Sequence, residues 1–299
     1  MAQTLSVSEE SWHERNQQET IPSNVVANAF RVYLFAVRCA LRAMTKGLFM
    51  EGIKLFMSPV GYWRFFPNAF VLAEFRRKHN PRVLDASSPK LLSLMLADGT
   101  QSEVYATDLD DPKIETRWKP LADASGLTNY VVEYQDARRM RYPDEFFDLV
   151  YSISVIEHIP GDGDSDALRE FRRVLKPDGV LVVEVPYRRE REERFAHYDS
   201  KGEPLAEPRF YERHYDTEWL TERLEIEGLK VEQRLILGET LALDPWIAAT
   251  RLPRPLRIAI LPFEPLLAAL NYWFRRDDRR GRPLAALMVY RKTAVQKAA

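Results

Sequence analysis

Two acids set the chemistry to look for. Asp85 closes the apolar run Val83-Leu84, and after Ser87, Ser88 and Pro89 a helical pattern begins with Leu91, Leu92, Leu94, Met95 and Leu96. Asp108 closes a second run at close to the roughly 20-residue spacing at which an α/β nucleotide site sets a ribose-binding carboxylate. A strand, a tight turn and a helix N-terminus together make a site for a nucleotide. The glycines that let a backbone approach a ligand closely are missing, since Ala86, Ser87, Ser88 and Pro89 stand in their place. Proline is tolerated in a first helical turn, and the serine hydroxyls offer hydrogen bonds where the backbone stands off. Further along, Asp136 and Ala137 follow another apolar run, and Ser154, Glu157 and His158 follow a fourth. Imidazoles titrate near neutrality, so His158 is a candidate general base, with His197 and His214 behind it. Its other reading is a structural histidine that holds the post-strand loop.

Positioning these groups requires alternating strands and helices. Residues 103–110, 129–134, 146–153 and 180–185 read as strands, with helical patterns over 112–125 and 164–175 between them. Lys176, Pro177, Asp178 and Gly179 stop the second of these helices. Asp216 or Thr217 caps a helix through Leu224, and strands over 229–237 and 284–290 complete the set. That alternation predicts a mostly parallel sheet covered on both faces.

The ordered motifs resemble the class I S-adenosylmethionine-dependent methyltransferases, most closely the small-molecule and quinone-type branch. They are the strand ends at Asp85 and Asp108, Gln135-Asp136-Ala137, Phe147-Asp148-Leu149-Val150, the Ser154 to Ile159 stretch and the Leu168 to Gly179 stretch. The resemblance implies a Rossmann-like α/β fold, a mostly parallel seven-stranded sheet with an antiparallel last strand. It implies S-adenosylmethionine as cofactor, with Asp85 near the methionine amino group, Asp108 and Leu109 at the ribose, Asp136 and Ala137 beside the adenine, and Ser154 on the methionine side. Ser87 and Ser88 occupy the modified loop. Some relatives bind a metal through a further glutamate three residues before the Glu157-His158 pair. Ser154 stands there, so no metal is expected. The connection after the fifth strand often forms the acceptor pocket, which brings in His197, Tyr211 and His214. The cluster around Tyr62 and Arg64 adds aromatic and cationic candidates for acceptor binding.

Composition bounds the partners. The chain of 299 residues carries a formal charge of −1, which gives no global attraction to nucleic acid. Its single cysteine, Cys39, excludes a disulfide framework or cysteine zinc cluster and fits a reducing, cytoplasmic setting. Residues 25–57 read as a basic amphipathic helix, with Arg31, Arg38, Arg42 and Lys46 on one stripe. Residues 251–276 form a second basic, apolar stretch broken by Pro262 and Pro265. Both suit peripheral contact with the inner face of a membrane, or packing as core or as a homodimer interface. The expected division is a flexible tail (1–24), an N-terminal helix and aromatic segment (25–66), a methyltransferase core (67–240), a hydrophobic helical insertion (241–280) and a last strand with tail (281–299). The expected activity is methyl transfer, by preference to oxygen, on a hydrophobic small-molecule or lipid-like acceptor. The alternatives are a catalytically silent methyltransferase-like protein that binds a membrane or a partner, and a soluble, dimeric small-molecule O-methyltransferase.

Overall fold

The computed structural model describes residues 24–109, 111–199, 203–243, 254–278 and 281–293. Residues 1–23 and 294–299, and with them most of the expected tails, lie outside that description, as does Arg251. Five strands, β1 (Val83–Ala86), β2 (Val104–Asp108), β3 (Tyr130–Tyr134), β4 (Phe147–Ile153) and β5 (Leu175–Pro186), run parallel. After a separate ribbon of β6 (Glu192–Tyr198) and β7 (Pro204–His214), the sheet continues with β8 (Leu229–Glu239), β9 (Tyr272–Arg275) and β10 (Arg282–Lys292). The order across the eight-stranded sheet is β3-β2-β1-β4-β5-β10-β8-β9, with β10 antiparallel to both neighbours. Seven of these strands are those the sequence predicts. β9 extends the sheet by an eighth, antiparallel to β8.

Burial explains why these runs are strands. β4 and the Val180–Val185 part of β5 are covered on both faces, which is why they read as near-continuous apolar sequence. One face of the sheet packs under α1 (Val25–Thr45), α3 (Phe65–Phe75) and α4 (Leu91–Ala97), which follow the short α2 (Phe49–Met57) in a cluster that includes Val32, Phe35, Phe70 and Leu92. The short α5 (Lys119–Ala124) joins the same cluster through Leu121 and Ala122, and the other face packs under α6 (Gly163–Val174) and α7 (Thr217–Leu224) through Leu168, Phe171 and Leu220. Asp216 caps α7 by accepting the Trp219 N–H at 2.8 Å, as its sequence position suggests.

Two departures concern the appendages. The pattern over 25–57 reads as one helix, but Gly47, at φ +86°, ends the first helix and turns the chain back into α2. The pair packs closely, since a Cβ on Gly52 would lie 2.5 Å from the Met44 side chain. The insertion, expected to stay helical, contains α8 (Arg254–Ile260) and α9 (Glu264–Asn271) and then leaves the helix as β9. Proline breaks and aromatic β-propensity account for the switch. The two appendages do meet: the Tyr62 N–H donates to Glu264 at 2.9 Å, its hydroxyl to Glu239 at 3.0 Å, and Asn271 donates to that hydroxyl at 2.7 Å.

Phe66 locks this junction, 1 % exposed, with ring centres 5.5 Å from Tyr272 and 4.7 Å from Phe274. Phe66→Ala should lower folding stability by about 3–5 kcal/mol, read from urea unfolding midpoints. A loss under about 1 kcal/mol would mean that the β9 edge does not depend on this contact.

Candidate functional site

The order of strands reverses between β1 and β4, and in open α/β sheets the ligand crevice lies beyond the carboxyl ends of the strands at such a point. Asp85 ends β1 with no exposure to water, and its Oδ1 accepts the Ser88 N–H at 2.8 Å. Ser87 sits at φ +62°, so a serine takes the left-handed conformation that glycine would adopt more cheaply. Ser88 is buried, and its Oγ accepts the Ile153 N–H at 2.8 Å, which ties the turn to β4. Its hydroxyl thus braces the loop and keeps its own O–H to donate. Burial pushes the Asp85 carboxyl above its ordinary range, against the pull of the Lys90 ammonium. That ammonium lies 3.6 Å from Asp85 and 3.7 Å from Asp108.

The remaining crevice residues divide by environment. Asp108 ends β2, partly open to water, and Leu109 beside it is exposed. Asp136 is held by its own turn: Arg138 reaches it at 2.7 Å, its hydrogen bonds draw the carboxyl below its usual range, and Ala137 is buried behind. Ser154, at φ +52°, donates its hydroxyl to Glu184 at 2.8 Å. Ile153 at the end of β4 bonds Ser88, and its neighbour Ser154 bonds Glu184, which lines a second space.

That second space is a cavity of about 410 Å³ above β4 and β5. Trp63, Tyr272, Leu237 and Leu284 supply apolar wall, and Arg64, Arg188 and Arg194 supply cations. Facing them are Glu157, Glu184 and Glu212, with His158, Tyr211 and His214. Burial pushes Glu184 up to about 7, opposed by the Ser154 hydroxyl and Arg64. Glu157, 1 % exposed, is pushed well above its ordinary value by burial and then by Glu184, and its Oε2 has no hydrogen-bond partner among the described residues. His158 Nδ1 lies 2.7 Å from the Tyr211 carbonyl. A carbonyl only accepts, so Nδ1 carries a hydrogen, and in the neutral tautomer Nε2 holds the lone pair, 3.7 Å from Glu157. His214 Nε2 is 2.9 Å from Glu212, and its buried Nδ1 lies 3.9 Å from Glu192 with no hydrogen-bond partner among the described residues.

The structure thus gathers His158, His214, Arg64, Tyr211 and Ser154 around one cavity. It keeps two sequence candidates out. Tyr62 is fully buried in the junction described above, because its hydroxyl is committed to Glu239 and Asn271. His197 projects from β6, exposed and away from the cavity lining, because the ribbon carries it outward. Sequence reasoning missed Glu184, Glu212 and Lys90. A visible signal existed for Glu184, a charge inside the apolar run Val180 to Val185.

Comparison with known proteins agrees with this fold. Residues 86–183 match a family model described as a methyltransferase domain. A ubiquinone/menaquinone biosynthesis C-methyltransferase UbiE of Paraburkholderia phymatum is 31% identical over 121 residues, covering 38% of this chain and 47% of that protein. Its counterpart in Bordetella avium is 36% identical over 86 residues, covering 28% and 32%. The chain therefore spans less than half the length of these curated relatives. Among solved structures, a candidate methyltransferase of Bacillus halodurans shares the fold with a TM-score of 0.50 at 17% identity, over 76% of this chain and 99% of that one. The match to the methyltransferase-domain model thus lies within strands β1 to β5, and the fold is the Rossmann-like α/β architecture that the Bacillus halodurans structure shares.

Between the ordinary glutamate value of 4.5 and about 7, the folded protein holds a proton on Glu184 that the unfolded chain has released. Stability from this group is thus complete at low pH and is lost as pH rises through that window. Glu184→Gln should flatten the decline in unfolding free energy between about pH 5 and about pH 7, measured by urea titration. An unchanged slope would mean that Glu184 ionises normally in the fold.

Proposed function

We propose that this chain, which carries a class I S-adenosylmethionine-dependent methyltransferase domain, methylates a small-molecule acceptor held in the cavity above β4 and β5. The observation that carries the proposal is that one stretch, Ile153 and Ser154, hydrogen-bonds both the Ser88 turn beside Asp85 and the cavity-lining Glu184. The crevice suits the cofactor in its donor set. Asp108 can accept from ribose hydroxyls, and Asp85 keeps a buried Oδ2 with no hydrogen-bond partner among the described residues. Bound there, S-adenosylmethionine supplies an electrophilic methyl group on a sulfonium.

The chain's own part is alignment and removal of one proton. His158 Nε2, left as the lone-pair nitrogen by the Tyr211 carbonyl, is the first candidate to take a proton from an acceptor hydroxyl. His214, held through Nε2 by Glu212, is the second. Glu184, near neutrality, can receive a proton from either side of the cavity. Oxygen is therefore the favoured acceptor atom. Trp63, Leu237, Tyr272 and Leu284 favour an acceptor with a hydrophobic body, while Arg64 and the glutamates favour polar groups at one end.

The appendages add a second element, peripheral contact with a membrane. No helix among the described residues is long and apolar enough to cross one. Yet Val26, Phe30, Leu34 and Leu41 form an exposed stripe along α1, bordered by exposed Arg31 and Arg38. Phe49, Met50 and Phe56 on α2 and Phe263 in the following turn of the insertion are exposed too. Apolar surface beside arginines is the composition of an interfacial helix. Self-association through the same face is the competing occupant, and the silent, binding-only protein is the competing function.

Calorimetry with S-adenosylmethionine tests the enzyme reading. The protein should bind it, and Asp108→Ala should weaken binding by about 1.5–3 kcal/mol through loss of charged hydrogen bonds to the ribose. A well-folded protein that gives no binding heat would leave the silent reading standing.

Flotation with anionic phospholipid vesicles tests the surface. The protein should float, and the double change Leu34→Asp and Phe263→Asp should keep it at the bottom of the gradient. Failure of the unmodified protein to float, with a mass that doubles on concentration, would assign the face to a dimer.

A further inference from the structure

The crevice between Asp85 and Asp108 is filled from within. Lys90 is 2 % exposed, its ammonium donates to the Ser88 carbonyl at 2.5 Å, and it stands 3.6 Å from Asp85 and 3.7 Å from Asp108. It belongs to the turn that replaces the missing glycines, one residue beyond Pro89. We infer that Lys90 is an internal occupant of the cofactor crevice, a positioning residue that must swing out of the acid pair before the cofactor's own amino group can reach Asp85. This rests on the methyltransferase reading above.

The argument is one of charge and space. A carboxylate with no exposure cannot stay ionised without a close cation, and Lys90 is the cation on hand. The cofactor also carries an ammonium group at its methionine end. Two such cations within contact distance of one carboxylate repel each other at low dielectric, so they exclude one another from Asp85. Lys90 is suited to leave, because its four-carbon stem is flexible and the adjoining Ser87 and Pro89 lie part-way open to water. While Lys90 is in place the crevice is neutralised and closed. The apparent affinity for cofactor is then the intrinsic one reduced by the fraction of molecules with Lys90 displaced.

Calorimetry on the full chain with S-adenosylmethionine and with S-adenosylhomocysteine, for the unmodified protein, Lys90→Met and Lys90→Arg, tests this. Lys90→Met should tighten binding of both ligands by about tenfold or more, because no internal cation has to be displaced. Lys90→Arg keeps the charge and should not tighten it. If the unmodified protein binds and Lys90→Met binds equally or more weakly, the inference is overturned while the methyltransferase reading stands. If no form binds either ligand, the methyltransferase reading itself falls and takes the inference with it. Should Lys90→Met not fold for want of a partner to the buried acids, acetylation of the unmodified protein gives the answer. Lys90 should resist acetic anhydride alone and become modified when S-adenosylhomocysteine saturates the site. A lysine that stays protected with ligand bound overturns the inference.

Discussion

A carboxylate sealed from water at the end of a central strand is the constraint on which the rest of this structure depends. Asp85 has no exposure, and leaving it ionised and unpartnered would cost several kcal/mol. The chain meets that cost locally. Ser88 donates its backbone N–H, Lys90 brings an ammonium, and Ser87 accepts a left-handed conformation to make the turn. A glycine-rich loop would lower the backbone cost and leave the crevice open. The serines and lysine instead brace the turn against β4 and neutralise it, which makes the loop a self-satisfied structure with a site folded inside it. The missing glycines therefore change the energetics of the crevice and keep its shape.

Much of the fold was legible because its signals are two-sided. β1, β4 and β5 are buried on both faces, and helices on either side of the sheet impose a run of apolar residues ending in an acid or a turn. The β6–β7 ribbon was not legible. Nearly all of β6 is exposed, so its charged sequence carries no alternation, and only pairing with β7 makes it a strand. β9 was hidden for a related reason: its strand character depends on β8 offering an edge and on Phe66 and Phe70 packing beneath Phe274. The Gly47 break was visible as a residue but not as a reversal, because a glycine in a helical pattern can be tolerated.

The candidate site was legible in its backbone and not in its charges. Strand-end positions such as Asp108, Ser154 and His158 follow from periodicity. Which groups face one another does not, since Glu184 meets Ser154 across two strands and His158 meets Tyr211 across a distant ribbon. Position alone also misled for Tyr62, whose aromatic neighbours suggested a pocket and in fact fasten the two appendages together. The cavity is more polar than a hydrophobic acceptor alone requires. For the proposed acceptor, those walls favour an apolar body with one ionisable or hydroxyl-bearing end over a plain hydrocarbon chain.

A crystal structure of the protein soaked with S-adenosylhomocysteine is the most direct measurement of this account. The ligand should lie across the carboxyl ends of β1 and β2, its ribose on Asp108 and its amino group at Asp85, with Lys90 withdrawn from between the two acids. Density for the ligand elsewhere, or an acid pair still bridged by Lys90 under saturating ligand, would contradict it.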